Sequence, residues 1–297
     1  MSTQLHIFST DSGTTTGERV VNVASVPQRS PFRYPGGKTW LIPVVRKWLK
    51  QFNTKQTTLI EPFAGGGIVS LTAAFEKLAR HMVMVELDAE VAAVWKTILG
   101  EDNDWLANRI MEFDLNMEDA AAVIGNPHRS IRELAFATIL KNRLFHGGIL
   151  AKGSTFMKAG ENGKGLRSRW YPRTLRKRIL AINQVKDAIE FIQGDGFEII
   201  ERYRNSTDCC FFIDPPYYVA ARRLYTHFDI DHRRLFKLVS QLKGHFLMTY
   251  DDTDEIRQLA EKHRLSYLKV PMKTTHHLQK FELLLSDRLP KAHQDLR

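Results

Sequence analysis

Thr57-Thr58-Leu59-Ile60-Glu61-Pro62-Phe63-Ala64-Gly65-Gly66-Gly67 is the stretch that decides the fold. Its β-branched and aliphatic opening reads as a short strand running into an acid, a proline and three glycines. Ile68 to Leu78 follows as a helix candidate, His81 to Val85 as a second buried strand ending at Glu86, and Ala89 to Leu99 as another helix. Strand, glycine loop, helix, strand, acid and helix in that order make the first half of a nucleotide-binding α/β sheet. The glycines allow a ligand to approach the backbone, and an acid about 20 residues on can accept hydrogen bonds from ribose hydroxyls. The loop has neither the GxxxxGK[ST] spacing of a phosphate cradle nor a clean GxGxxG. A nucleoside-type cofactor fits it, and so does a structural turn followed by a surface glutamate.

Upstream, Thr39 to Phe52 carries Trp40, Leu41, Val44, Val45 and Leu49 at helical spacing. Before it, Arg33-Tyr34-Pro35-Gly36-Gly37-Lys38 forms a glycine turn with a cation and an aromatic. Downstream, strand signals recur at Ala188 to Gln193, Cys209 to Ile213, His245 to Thr249, Ser266 to Val270 and Phe281 to Leu285. Helical patterns at Asp231 to Leu242 and Thr253 to His263 separate the middle ones, and Pro271 to Lys280 reads as a hairpin loop. The expected architecture is therefore an α/β, Rossmann-like mixed sheet that closes in a C-terminal antiparallel hairpin.

Two more acids end strands. Asp195 follows Phe191-Ile192-Gln193 and precedes Gly196-Phe197. Asp214-Pro215-Pro216-Tyr217 follows the apolar run Cys209-Cys210-Phe211-Phe212-Ile213. Open α/β sheets place ligands at such strand ends. The Asp214 carboxylate and the Pro215 carbonyl can both accept hydrogen bonds from one NH2 group, and Pro215 and Pro216 bring no N–H to compete. Tyr217 offers a ring on which a planar base could stack. A plain Pro-Pro turn capping a strand is the bland reading of the same tetrapeptide.

Composition sets the frame. A length of 297 residues suggests one large domain, or one domain with an insertion. Lys and Arg exceed Asp and Glu by ten, a balance that suits a polyanionic partner and equally a basic enzyme. The two cysteines, Cys209 and Cys210, are adjacent on a strand and face opposite ways, so they predict no disulfide and a reduced, cytoplasmic setting. No metal-ligand spacing and no stretch of 18 apolar residues occurs, so neither a metal nor a membrane span is expected. Residues 1–29, rich in Ser, Thr and Gly and without a signal pattern, read as a flexible tail, as do residues 291–297.

The middle of the chain is different. From Lys141 to Leu180 there are eleven Lys or Arg against one acid, Glu161, and six glycines break any long helix. Phe145, Phe156, Trp170 and Tyr171 are interleaved among the charges. Cations neutralise phosphates and aromatics stack on bases, which points to nucleic acid, with a solvated basic loop as the alternative.

Taken together, these residues resemble the Dam-type (DPPY) family of DNA adenine-N6 methyltransferases. RYPGGK at Arg33 to Lys38, EPFAGGG at Glu61 to Gly67 and DPPYY at Asp214 to Tyr218 carry the resemblance, which spans Pro31 to Ser286. Asn142-Arg143 with Gly148-Ile149-Leu150, Tyr225 with Asp231-His232, Thr249-Tyr250-Asp251-Asp252 and Glu282-Leu283-Leu284 support it. The resemblance implies a class I fold using S-adenosylmethionine, built from residues 30–100 and 185–290. Residues 101–184 would form an inserted, mainly helical DNA-recognition region.

It further implies that Tyr34 and Lys38 line the methionine end of the cofactor site and that Phe63, Gly65 and Gly67 form the loop beneath it. Glu86, where many members carry Asp, would hold the ribose, and Asp195 and Phe197 would contact the cofactor's adenine. Asp214, Pro215, Pro216 and Tyr217 would bind a target base flipped from double-stranded DNA, with Asp214 also bordering the cofactor. Asn142, Arg143, Lys152, Arg167 and Arg169 would contact the DNA. Members that read GATC carry a Tyr-Asn pair followed by an Arg where this chain has His146-Gly147 and Ala151, which argues against a GATC site. A monomer is expected, with a cognate restriction endonuclease as a possible partner.

Three competing readings share some of these residues. A cytosine-N4 methyltransferase would more often carry Ser at the place of Asp214. A dinucleotide-dependent dehydrogenase lacks its GxGxxG here. A non-catalytic DNA-binding protein on the same scaffold has no need of Asp214, Tyr217, Gly65 and Gly67 together.

Overall fold

β1 (Thr58–Glu61) is hydrogen-bonded on both sides in a seven-stranded sheet, in a computed structural model that describes residues 26–33, 36–127, 129–151, 153–160, 163–217, 230–273 and 279–289. β2 (His81–Glu86) and β4 (Cys209–Ile213) flank it in parallel, with Thr58 opposite His81 on one side and Cys209 on the other. β3 (Ile189–Gln193) extends the sheet beyond β2, and β5 (His245–Asp251) extends it beyond β4. β6 (Tyr267–Lys273) and β7 (Gln279–Ser286) complete the order β3-β2-β1-β4-β5-β7-β6, in which β7 alone runs against its neighbours. This is the reversed-hairpin sheet that the class I fold implies.

Parallel strands covered on both faces need apolar side chains in both directions, which is why β1, β2, β4 and β5 read as unbroken hydrophobic runs. Alternation then divides them: Cys210 and Phe212 join one core with Trp48 and Trp95, while Phe211 and Ile213 join another with Phe236 and Tyr250. The hairpin loop is shorter than the sequence suggested. Pro271 lies within β6 opposite Phe281 rather than in the turn. β6 is an edge strand, where a proline is tolerated.

Ten α-helices are seen among the described residues. α1 (Ile42–Leu49), α2 (Ile68–Glu76) and α3 (Ala89–Leu99) belong to the first half, and α3 is capped by Asp88, whose carboxylate accepts from the Glu90 and Val91 amides. α4 (Asn103–Glu112), α5 (Met117–Gly125), α6 (Ile131–Leu144) and α7 (Pro172–Ile182) lie between α3 and β3 in the chain. α6 packs on α3 and α4 on α7. The Asn103 side-chain amide donates to the Ile98 and Ile179 carbonyls and so ties the end of α3 to α7. α8 (Gly196–Tyr203), α9 (His232–Val239) and α10 (Asp254–Lys262) complete the second half.

The body begins earlier than expected from the sequence. Val26 is buried and Arg29 pairs with Glu76 at 3.0 Å, so the last residues assigned to the tail pack against it, while residues 1–25 lie outside the described part. Among the described residues, no helix is long and apolar enough to cross a membrane.

Candidate active site

The glycine loop is shaped by what surrounds it. Gly65 and Gly67 both take positive φ, and a side chain on Gly67 would meet Met84 at 2.5 Å and Trp95 at 2.8 Å. Trp95 holds the loop from below by donating its indole N–H to the Gly65 carbonyl at 2.9 Å. α2 starts at this loop with no side-chain cap from Gly67. Glu61 supplies one instead, accepting from the Ser70 amide at 3.0 Å and from its hydroxyl at 2.5 Å. Burial raises the Glu61 carboxyl to about 8.

Glu86 closes the loop from the end of β2. One of its oxygens accepts from the Gly65 amide at 2.9 Å and the other from the Asp88 amide at 2.9 Å. A carboxylate has about four lone-pair sites, so acceptor capacity remains for an incoming hydroxyl. Enclosure, opposed by these amides, raises its carboxyl to about 7. At the end of the neighbouring strand β3, Asp195 caps α8 through the Phe197 amide at 2.9 Å, and the Phe197 ring meets Phe63 edge-on at 6.1 Å.

Asp214 stands just beyond β4, held through one oxygen. Its Oδ1 accepts from the Thr249 hydroxyl at 2.7 Å and pairs with Lys38 Nζ at 2.9 Å. Lys38, only 3 % exposed, also donates to the Gly36 carbonyl at 2.7 Å and lies 3.8 Å from Glu282. Its ammonium sits 4.9 Å from the centre of the Tyr217 ring, which stacks on Tyr250 at 6.1 Å. With Oδ1 so occupied, Oδ2 is the oxygen left for a substrate donor.

These pieces face one cavity of about 910 Å³, within the range of small-molecule sites. Lys38, Phe63, Gly65, Gly67, Glu86, Asp195, Phe197, Asp214 and Pro216 all line it. Four strand-adjacent segments far apart in the chain therefore converge. Residues 34–275 match the D12 class of N6 adenine-specific DNA methyltransferases. The chain belongs to that family.

The DNA N-6-adenine-methyltransferase of Escherichia phage P1 is 26 % identical over 211 residues, which are 69 % of this chain and 26 % of the relative. The chain thus spans about a quarter of that protein's length. Among solved structures, a putative RNA methyltransferase from Pyrococcus horikoshii is similar at a TM-score of 0.39 and 12 % identity, covering 86 % of this chain and 84 % of that one. An rRNA methyltransferase from Streptomyces viridochromogenes is similar at 0.39 and 13 %, covering 85 % and 86 %.

Some residues of this D12 class chain lie elsewhere than expected. Tyr217 does not line the cavity: its ring is engaged with Tyr250 and Lys38, and burial drives its phenol well above the usual range. A stacking platform for a base is not what this placement offers. Asn142 is fully buried, and its amide accepts from the Arg33 amide at 2.8 Å while donating to the Arg33 and Gly148 carbonyls at 3.0 and 2.9 Å. It clamps two loops together and has nothing left for DNA.

Arg143 is likewise buried and donates to the Pro31 carbonyl. Arg169 is 8 % exposed and turned toward the Phe145 carbonyl at 3.4 Å. Arg167 stays at the surface, bound to Asp114 at 2.9 Å and to the Leu115 carbonyl at 2.8 Å. Tyr34, Lys152, Tyr218 and Tyr225 lie outside the described residues. Thr249, Glu61 and Glu282 are functional neighbours to which sequence reasoning gave no role. All three stood in the motifs that carry the resemblance, and each is a polar residue in or at the end of an apolar strand.

Proposed function

We propose that this protein transfers a methyl group from S-adenosylmethionine to N6 of an adenine flipped out of double-stranded DNA. The observation that carries the reading is Asp214, fixed through Oδ1 by Thr249 and Lys38 and bordering the same cavity as the glycine loop and Glu86. The cofactor fits the residues present. Gly65 and Gly67 bring bare backbone to the cavity wall, and Glu86 beside them keeps acceptor capacity for a ribose hydroxyl. Bound there, S-adenosylmethionine supplies a methyl group already activated by its sulfonium, so alignment and nucleophile preparation are what remain.

Adenine N6 is a poor nucleophile because its lone pair is delocalised into the ring. Asp214 Oδ2 and the Pro215 carbonyl each accept one amine hydrogen and draw the nitrogen toward a pyramidal geometry, which frees the lone pair. The amine would become acidic as it takes up the methyl group, and Asp214 would receive the proton it releases. Holding Oδ1 by two donors keeps Oδ2 aimed during this change. A base inside a duplex cannot reach such a pocket, so flipping belongs to the reading.

The region 101–184 serves DNA recognition in this reading. Arg173, Arg176 and Lys177 on α7, with Lys158 and Lys164 in the preceding turns, are exposed cations suited to phosphates. The reading extends to a monomer acting in the cytoplasm on each strand separately, with a cognate endonuclease as its partner in a restriction system.

Radiolabelled S-adenosylmethionine and unmethylated genomic DNA test the reaction once products are digested to nucleosides and separated. Label in N6-methyldeoxyadenosine is the expected result. Label in N4-methyldeoxycytidine would overturn the base, and no label together with no cofactor binding would return the chain to a DNA-binding role.

Cofactor binding should also depend on pH. Ribose hydroxyls donate to the ionised form of Glu86, so binding lowers a carboxyl that stands at about 7 in the free protein and expels its proton. Affinity should rise between pH 6 and 7.5 and level off above. Calorimetry in buffers of different ionisation enthalpy would register proton release at pH 6.5, and an affinity flat across that range would contradict the assignment.

A further inference from the structure

Glu282 is a buried carboxyl one ion pair away from Asp214. It is 4 % exposed, on β7, in register with Asp251 of β5 on one side and Val270 of β6 on the other. It does not line the cavity, so it can act on bound groups only through its neighbours. Those that face it are Lys38, Asp214, Tyr217 and Asp251. Lys38 is the cation of the set, and its Nζ lies 2.9 Å from Asp214 but 3.8 Å from Glu282. Glu282 Oε2 makes no hydrogen bond among the described residues. An ammonium has three hydrogens. One goes to Asp214 Oδ1 and one to the Gly36 carbonyl at 2.7 Å, which leaves one to spare for Glu282. A carboxyl buried without a firm donor is costly, so the sheet alone gives no reason for an acid here.

We infer that Glu282 is a positioning residue for proton uptake at Asp214, acting through Lys38. The inference rests on the methyl-transfer reading given above and adds a residue to it. While Asp214 is ionised it holds Lys38. Once the amine's proton is on Asp214, Thr249 still aims the carboxyl, but its hold on the ammonium weakens. A movement of about 1 Å then brings Lys38 to charge-assisted hydrogen-bond distance of Glu282. The ammonium thus has a counter-charge before and after the step, which favours the protonated form of Asp214. Only the amine's proton moves: it passes from N6 to Asp214, while Lys38 keeps its three and Glu282 stays ionised. The device therefore needs an ionised Glu282. Burial raises this carboxyl to about 7, with Lys38 opposing and Asp214 and Asp251 adding to the rise. Its negative charge also bears on Asp214 directly and makes it a better proton acceptor.

Single-turnover methyl transfer, with cofactor and DNA both saturating, tests this from about pH 5.5 to 8. Saturation removes the effect of Glu86, whose titration acts through cofactor affinity. The wild-type rate should rise about 3- to 10-fold with pH, the range for about one unit in the acceptor's basicity. Glu282→Gln should stay near the acid limb of that profile at every pH, with cofactor and DNA affinities unchanged. Glu282→Asp should recover part of the rise. A uniform loss in Glu282→Gln that leaves the shape of the profile intact would mean a structural role and overturn the inference. A profile identical in wild type and Glu282→Gln would assign the rise to another group, such as Glu61 beside Asp214, and overturn it too. A wild-type rate flat across the range overturns it without any variant. No transfer by the wild type at any pH would overturn the methyl-transfer reading itself, and this role with it.

Discussion

Asp214→Ala should lower single-turnover methyl transfer by about 10³-fold or more while leaving cofactor affinity within a few-fold of wild type. The loss combines two tasks: aiming the amine lone pair and receiving its proton. The cofactor's largest contacts lie elsewhere, at the glycine loop and Glu86. Lys38 is not left bare in this variant, since Glu282 stands 3.8 Å away and the Gly36 carbonyl at 2.7 Å. Asp214→Asn keeps the Thr249 bond through its amide oxygen but sets an NH2 donor in the place of Oδ2, so it preserves the local structure while neither accepting from the amine nor taking up its proton. It should therefore retain DNA binding and still fail in transfer. A variant that lost cofactor affinity in step with transfer would show that Asp214 holds the ligand rather than the reacting amine.

Lys38→Met should be the more destabilising change. It removes a nearly buried ammonium from between two carboxylates and leaves Asp214 and Glu282 facing each other, at a cost of about 3–5 kcal/mol by analogy with broken buried pairs. The pH dependence has a definite sign. Burial already raises Glu282 to about 7, with Lys38 opposing, so losing Lys38 raises it further. A carboxyl raised on folding is stable below its unfolded value and loses that stability as pH rises through the folded one. The variant's deficit should thus be smaller at pH 5.5 than at pH 8. Denaturant unfolding at the two pH values measures it, and a deficit independent of pH would mean that Lys38 does not screen these groups.

The sheet was legible because β1, β2, β4 and β5 are covered on both faces and so carry continuous apolar runs. Pro271 misled for a physical reason: a proline reads as a break, yet an edge strand tolerates one. Glu86, Asp195 and Asp214 were legible as acids at strand ends. Thr249 and Glu282 were not, because only strand register brings them to Asp214: Ile213 pairs with Met248, and Asp251 with Glu282. Asn142 and Arg143 show the converse limit. Sequence gives the charge and polarity of a side chain but not its direction, and α6 turns both inward.

Cys209 and Cys210 sit side by side on β4, deep in the sheet, both unbridged and buried. Burial pushes the Cys209 thiol up to about 11 and raises Cys210 as well, so thiolate is scarce in the native chain at neutral pH. An alkylating reagent can reach them only when the apolar layers packed on the two faces of β4 come away from the sheet, which for a central strand means a large-scale opening. The pair is a natural clock for that opening: with reagent in excess, the labelling rate reads how often the whole sheet comes apart, with no engineered probe.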